Sequence, residues 1–234
     1  MIRASFLLVL ACSGGLWAEE GSPLFGSFIR SKDWIIRRAP RKVEEFDGDV
    51  RYRRGPRAVT SDHAVYDHEA QTLKASGRVR AEETFSDGSV LEARGRKADY
   101  DLKSRLGAMT GEGPSGRVYY TRTAPGRAEK DSGEARRMDW DWNTETVFLS
   151  GGATGTGPEG DFWSDRARNH VPTRTVVLEG RRPVATARQP KWSAAVQADK
   201  ITAREEGSVR KVRGDGSAEG WILFEGGAGA LRKR

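Results

Sequence analysis

Residues 64–77 read Ala-Val-Tyr-Asp-His-Glu-Ala-Gln-Thr-Leu-Lys-Ala-Ser-Gly, and the stretch has the pattern of a hairpin. Ala64 and Tyr66, two apart, fall on one face of a strand. Asp67 opens a turn, where a short carboxylate accepts backbone N–H groups two residues on. Leu73 and Ala75 return to the first face, and Gly77 permits a bulge or bend at which a sheet can curl.

The same cassette recurs. Ala98 to Gly111 carries Tyr100-Asp101, Leu106 and Met109; Met138 to Gly151 carries Trp140-Asp141, Val147 and Leu149; Ala167 to Gly180 carries Asn169-His170, Val176 and Leu178. A looser fifth copy, Ala198 to Gly214, has Lys200-Ile201 at the Tyr-Asp position. Gly48, Gly77, Gly111, Gly151, Gly180 and Gly214 lie 29, 34, 40, 29 and 34 residues apart. A unit repeated at this period is one supersecondary element that buries its apolar face by stacking on its neighbours.

Period-two alternation continues between the cassettes, in Val50-Arg51-Tyr52, Val118-Tyr119-Tyr120 and Val196-Gln197-Ala198. Turn signals such as Gly55-Pro56, Asp87-Gly88 and Gly157-Pro158-Glu159-Gly160 separate the runs. The pattern predicts about a dozen short strands in an all-β, continuous antiparallel meander of repeated hairpins, curled into an elongated, twisted half-barrel with an apolar inner surface. Its two ends present unpaired strand edges, suited to pairing with a neighbour.

Upstream, Met1-Ile2-Arg3, an apolar run from Ala4 to Ala11 and Leu16-Trp17-Ala18 form a secretory signal peptide over 1–18. The alternative is a lipobox at Val9-Leu10-Ala11-Cys12, which leaves a lipid anchor on Cys12. Cys12 is the only cysteine, so no intramolecular disulfide staples the fold. Residues 19–42 form an amphipathic segment in which Phe25, Phe28, Ile29, Trp34, Ile35 and Ile36 mix with Arg30, Lys32, Arg37 and Arg38. It suits either a short helix in peripheral contact with a membrane or a leader packed on the first strands. The β-array is expected over 43–226 and a basic tail over 227–234.

Forty Lys and Arg against thirty-three Asp and Glu give a net charge of +7, a mixed surface whose basic tilt favours anionic partners. In an exported chain these are phosphorylated lipids, membrane surfaces or acidic glycans rather than nucleic acid.

The residues Ala64-x-Tyr66-Asp67, Leu73-x-x-x-Gly77-x-Val79, Leu91-x-Ala93 and Ala98-x-Tyr100-Asp101 resemble the OstA-like repeat of the lipopolysaccharide transport family, which includes LptA, LptC and the periplasmic part of LptD. The resemblance spans roughly Glu45 to Glu225. It implies an elongated antiparallel β-jellyroll, a twisted, folded-over sheet whose groove holds lipopolysaccharide acyl chains, in a non-enzymatic periplasmic carrier. Such carriers join edge to edge, with self or with other Lpt components, into a bridge from inner to outer membrane. The repeat itself departs from that pattern at Asn169-His170 and Lys200-Ile201.

The inward alternation nominates Tyr66, Leu73, Tyr100, Met109, Trp140, Val147, Leu149, Val176 and Leu178 as groove-lining, with an ordinary closed core as the equal alternative. Arg51, Arg53, Arg54, Arg78, Arg80, Arg94 and Arg96 suit lipid phosphates or a solvated outer face, the latter favoured. No catalytic set is expected: Asp67, Asp101 and Asp141 are explained as turn residues, and His63, His68 and His170 are too scattered for a metal site. No cofactor is implied. The rivals are a structural or glycan-binding β-repeat scaffold, such as a parallel β-helix, and a polysaccharide-active enzyme.

Overall fold

The computed structural model describes residues 27–111, 116–206 and 209–224, with the backbone alone at 209. The signal peptide, Cys12 and the basic tail lie outside these residues. The described chain is all strand and turn. The strands are β1 (Phe28–Arg30), β2 (Asp33–Arg37), β3 (Val43–Arg54), β4 (Arg57–Asp67), β5 (Thr72–Thr84), β6 (Val90–Asp101), β7 (Leu106–Thr110), β8 (Val118–Thr123) and β9 (Lys130–Ala135). They continue with β10 (Arg137–Asp141), β11 (Thr146–Gly157), β12 (Gly160–His170), β13 (Thr175–Glu179), β14 (Val184–Gln189), β15 (Trp192–Gln197), β16 (Lys200–Glu206), β17 (Val209–Asp215) and β18 (Glu219–Phe224). All 18 belong to one sheet, and every pairing is antiparallel, which excludes the parallel β-helix.

The sheet is folded over along its length. One half-sheet runs in the order β2, the start of β3, the end of β4, the start of β5, the end of β6, β7, β10, the start of β11, the end of β12, β13, β16 and β17. The other runs β1, the end of β3, the start of β4, the end of β5, the start of β6, β8, β9, the end of β11, the start of β12, β14, β15 and β18. The long strands β3, β4, β5, β6, β11 and β12 therefore cross from one half to the other. The result is an elongated antiparallel jellyroll, the fold that the resemblance implies: a trough with a corner on one side and two rows of turns on the other.

The corner is where the register slips, between Asp47 and Val50, Ser76 and Val79, and Ser150 and Ala153. Gly48, Gly77 and Gly151 sit there at φ values of 71°, 95° and 79°, in the left-handed region that only glycine adopts without cost. A β-bulge bends its strand, so these cassette-closing glycines turn a flat meander into a trough. At Gly77, Gly180 and Gly216 an acidic partner fixes the bend. Asp62 Oδ2 accepts the Arg78 backbone N–H at 3.0 Å, Asp165 Oδ2 that of Arg181 at 2.8 Å, and Asp199 Oδ2 that of Ser217 at 2.9 Å. Each aspartate stands two residues before an inward-facing Ala64, Ala167 or Ile201.

That placement corrects the fifth cassette. Ile201 pairs with Leu178 and Ala203 with Val176, so Ile201 takes the place of the leading alanine. The unit starts three residues later than Ala198, and Ala203-Arg204, not Lys200-Ile201, occupy the Tyr-Asp position. Residues 28–30 and 33–37 are strands on β3. Of the two readings of the amphipathic segment, packing on the first strands is the one found there.

Candidate functional site

One rim of the trough is built by the cassette turns. Asp67 Oδ1 accepts the N–H groups of Glu69 and Ala70, Asp101 Oδ1 those of Lys103 and Ser104, and Asp141 Oδ1 that of Asn143, all between 2.8 and 2.9 Å. These bonds hold all three carboxyls below their ordinary range, led by the Ala70, Ser104 and Asn143 amides respectively. In the fourth cassette His170 replaces aspartate and Nδ1 meets Thr173 Oγ1 at 2.6 Å. Gln71, Arg105, Glu145 and Arg174 close the four turns at φ between 48° and 61°.

Successive turns are stitched together. The N–H of Leu102 donates to Gln71 O at 2.9 Å, Trp142 to Arg105 O at 3.2 Å, Val171 to Glu145 O at 3.1 Å and Glu205 to Arg174 O at 3.2 Å. The aspartates are therefore committed to the rim's architecture. Among the described residues no group of three or more His, Cys, Asp or Glu is placed to hold a metal ion.

Between the half-sheets the interior is apolar. One cluster holds Phe46, Val50, Tyr52, Ala64, Tyr66, Leu73 and Leu102. The larger one continues through Met109, Met138, Trp140, Leu149, Leu178 and Ile201, and Val59 packs against both. All nine residues nominated from the sequence face this interior. Leu73, Tyr100 and Trp140 line a cleft of about 670 Å³ of atom-free space, part of it open to solvent. Tyr66, Met109, Val147, Leu149 and Leu178 are buried in the packed interior and Val176 is half-buried against it. The cleft's wall is completed by small side chains, Ala58, Ala75, Ala81, Ala93 and Ala98.

At the mouth of the cleft lies a polar group that periodicity did not disclose. Arg57 Nε donates to Glu83 Oε2 at 2.9 Å, and its NH1 donates to Tyr100 Oη at 2.9 Å. Its guanidinium lies 4.6 Å from the centroid of Trp142, a cation–π placement. Arg57 and Glu83 belong to one half-sheet, whereas Tyr100 and Trp142 belong to the other. Burial pushes the Glu83 carboxyl up from 4.5 to about 7, against the pull of Arg57.

The interior stays apolar to both ends. At one end Trp34, 57% exposed, stacks on buried Phe46 with ring centroids 6.1 Å apart. At the other, Ile222 and Phe224 pair with Ala194 and Trp192, on the face that Val196 presents to the core. Trp192, Ile222 and Phe224 are all exposed.

Four of the seven arginines considered for lipid phosphates pair on the outside. Arg51 meets Asp49, Arg78 meets Asp62, and Arg80 and Arg94 share Glu92. Among the described residues no helix is long and apolar enough to cross a membrane.

No family model matches the chain, and no curated relative matches it. Among solved structures it is similar to LptH, the LptA-homologous periplasmic component of the lipopolysaccharide transport device from Pseudomonas aeruginosa. That likeness covers 64% of this chain and 80% of LptH at 10% identity, with a TM-score of 0.28. A superposition of that quality decides neither family nor function.

Proposed function

We propose that this protein is a non-enzymatic periplasmic carrier that shields the acyl chains of lipopolysaccharide between its two half-sheets and helps them cross from inner to outer membrane. The observation that supports this reading is the course of the apolar interior. It runs from the Trp34–Phe46 stack, past the cleft at Leu73, Tyr100 and Trp140, to Ile222 and Phe224, and large apolar side chains remain exposed at both ends. A closed structural core has no use for that exposure, which leaves apolar surface in water at about 25 cal/mol per Å². A lipid path does, because each tail CH₂ kept from water is worth about 0.8 kcal/mol.

The edge strands fit the same role. The described sheet ends on β1 and β2 at one side and on β17 and β18 at the other, and unpaired edges of this kind invite strand addition. Pairing with another copy, or with other components of the transport system, would make the interior continuous between protomers. The OstA-like repeat read from the cassettes is consistent with this account, and the signal peptide expected over residues 1–18 supplies the route to the periplasm. Residues 27–42, with exposed Phe28, Ile35 and Ile36, lie at the end where a membrane-bound partner would hand over lipid.

The reading is tested by incubating the purified protein with lipopolysaccharide and separating it by gel filtration. Co-elution of lipid with protein is expected. A folded protein that elutes free of lipid at every ratio contradicts the proposal.

A further inference from the structure

The trough is closed on its mouth side directly over the cleft, and the closure is made of few bonds. Arg57 reaches from its own half-sheet to Tyr100 Oη and over the Trp142 ring. Ser86, on the turn after β5, donates its hydroxyl to Glu145 Oε2 at 2.6 Å, and Glu145 closes the opposite turn. Phe85 lies 6.0 Å from Trp142, centroid to centroid. Further along, Arg210 meets Glu159 at 2.8 Å across the same mouth, in an exposed pair that water screens. At the corner, in contrast, the backbone of six strands runs unbroken from one half-sheet to the other through bulges at which the ladder is already interrupted, a geometry that can flex without breaking further pairs.

Resting on the carrier reading, the geometry points to a clasp. Arg57 and Ser86 on one half-sheet grip Tyr100, Trp142 and Glu145 on the other, and these contacts part to admit an acyl chain sideways into the cleft. Three features carry this. The cleft's wall includes the clasp residues Arg57, Tyr100 and Trp142 themselves, so a tail entering there displaces them. The interior beside it is close-packed, with Met109 and Met138 almost wholly buried, so the half-sheets must separate to receive a chain. The clasp contacts are side-chain bonds between turns and strand ends, which break without unfolding a strand. Glu83 holds the Arg57 side chain in place from behind and acts as a positioning residue.

The test places nitroxide labels at Pro56→Cys and Lys103→Cys, exposed positions on opposite rims, in the full chain carrying Cys12→Ser. The inter-label distance is measured by pulsed electron resonance with and without lipopolysaccharide, and retained lipid is quantified in the same sample. With lipid retained, the distance is expected to lengthen by about one strand spacing, ~5 Å. Retained lipid with an unchanged distance overturns the clasp and leaves the carrier intact; no retained lipid overturns the carrier and the clasp with it. The doubly neutral variant Arg57→Gln/Glu83→Gln is expected to show the longer distance without lipid and to take up lipid severalfold faster. A folded variant with the wild-type distance and uptake rate overturns the clasp as well.

Discussion

Gly107 on β7 faces Trp140 on β10, and a Cβ placed at 107 would lie 2.1 Å from the indole ring. The absent side chain is the space in which the tryptophan lies flat against its neighbouring strand. Trp140 in turn forms one wall of the cleft, so the shape of the candidate site depends on a glycine in an adjacent strand. Gly107→Ala should force the indole off its rotamer and cost about 1–3 kcal/mol, the usual penalty of overpacking. A urea titration followed by tryptophan fluorescence measures this, with a lower midpoint and a shifted emission maximum expected.

The rim aspartates predict a different pattern. Asp67→Ala, Asp101→Ala and Asp141→Ala each remove acceptors for turn N–H groups and should lower the thermal midpoint by a few degrees. Lipid retained per folded molecule should not change. Their carboxyls are held below the ordinary 3.8. The stabilisation is therefore complete above that value and disappears as pH falls through the lowered one. Melting curves at pH 2.5 and pH 6 should show a smaller acid loss for the triple variant than for the wild type, and equal losses would contradict the turn assignment.

Glu83 has the opposite sign. Its carboxyl is raised from 4.5 to about 7, so the folded state holds the proton more tightly than the unfolded chain. That contribution is complete below about pH 4.5 and is lost as pH rises to 7, with a decline of roughly 1–3 kcal/mol. Glu83→Gln should flatten this slope. Denaturant titrations at pH 5 and pH 7.5 compare the two proteins directly, and a wild-type slope that persists in the variant would remove Glu83 as its source.

Filling the cleft should separate lipid binding from folding. Ala81 lines the cleft and is only half-buried, so Ala81→Phe directs its ring into the cleft from a position with partial access to solvent. The variant should stay folded at a cost of about 1–3 kcal/mol and retain much less lipopolysaccharide in a gel-filtration assay. Full retention would mean that the cleft at Leu73, Tyr100 and Trp140 is not where the chains lie.

The parts of this fold legible in the sequence are those set by neighbouring residues. Ala64 and Tyr66 face inward because a strand alternates, Asp67 caps the turn two residues away, and Gly77 and Gly151 bend strands where their own φ values allow it. Pairings between cassettes also followed, because each hairpin stacks on the next. The clasp was not legible, since Arg57 and Tyr100 are 43 residues apart and meet only after the sheet folds over. Nothing in local alternation distinguishes Gly107 from any other strand glycine, nor the small alanines that leave the cleft from those that fill the core. The corner aspartates Asp62, Asp165 and Asp199 did leave a signal, an Asp two residues before the inward start of the first, fourth and fifth units, where the second and third have Arg96 and Arg136. In the fifth unit that signal marks Ile201 as the start rather than Ala198.

The claim that acyl chains lie between the half-sheets is tested most directly by photo-crosslinking. Benzoylphenylalanine is placed at Tyr100, on the cleft wall, and separately at Phe148, which is 39% exposed on the outer face; each protein is irradiated with lipopolysaccharide. Covalent lipid at Tyr100 with none at Phe148 is the predicted result. Equal labelling at both positions, or labelling at Phe148 alone, would place the lipid on the outside of the trough and contradict the account.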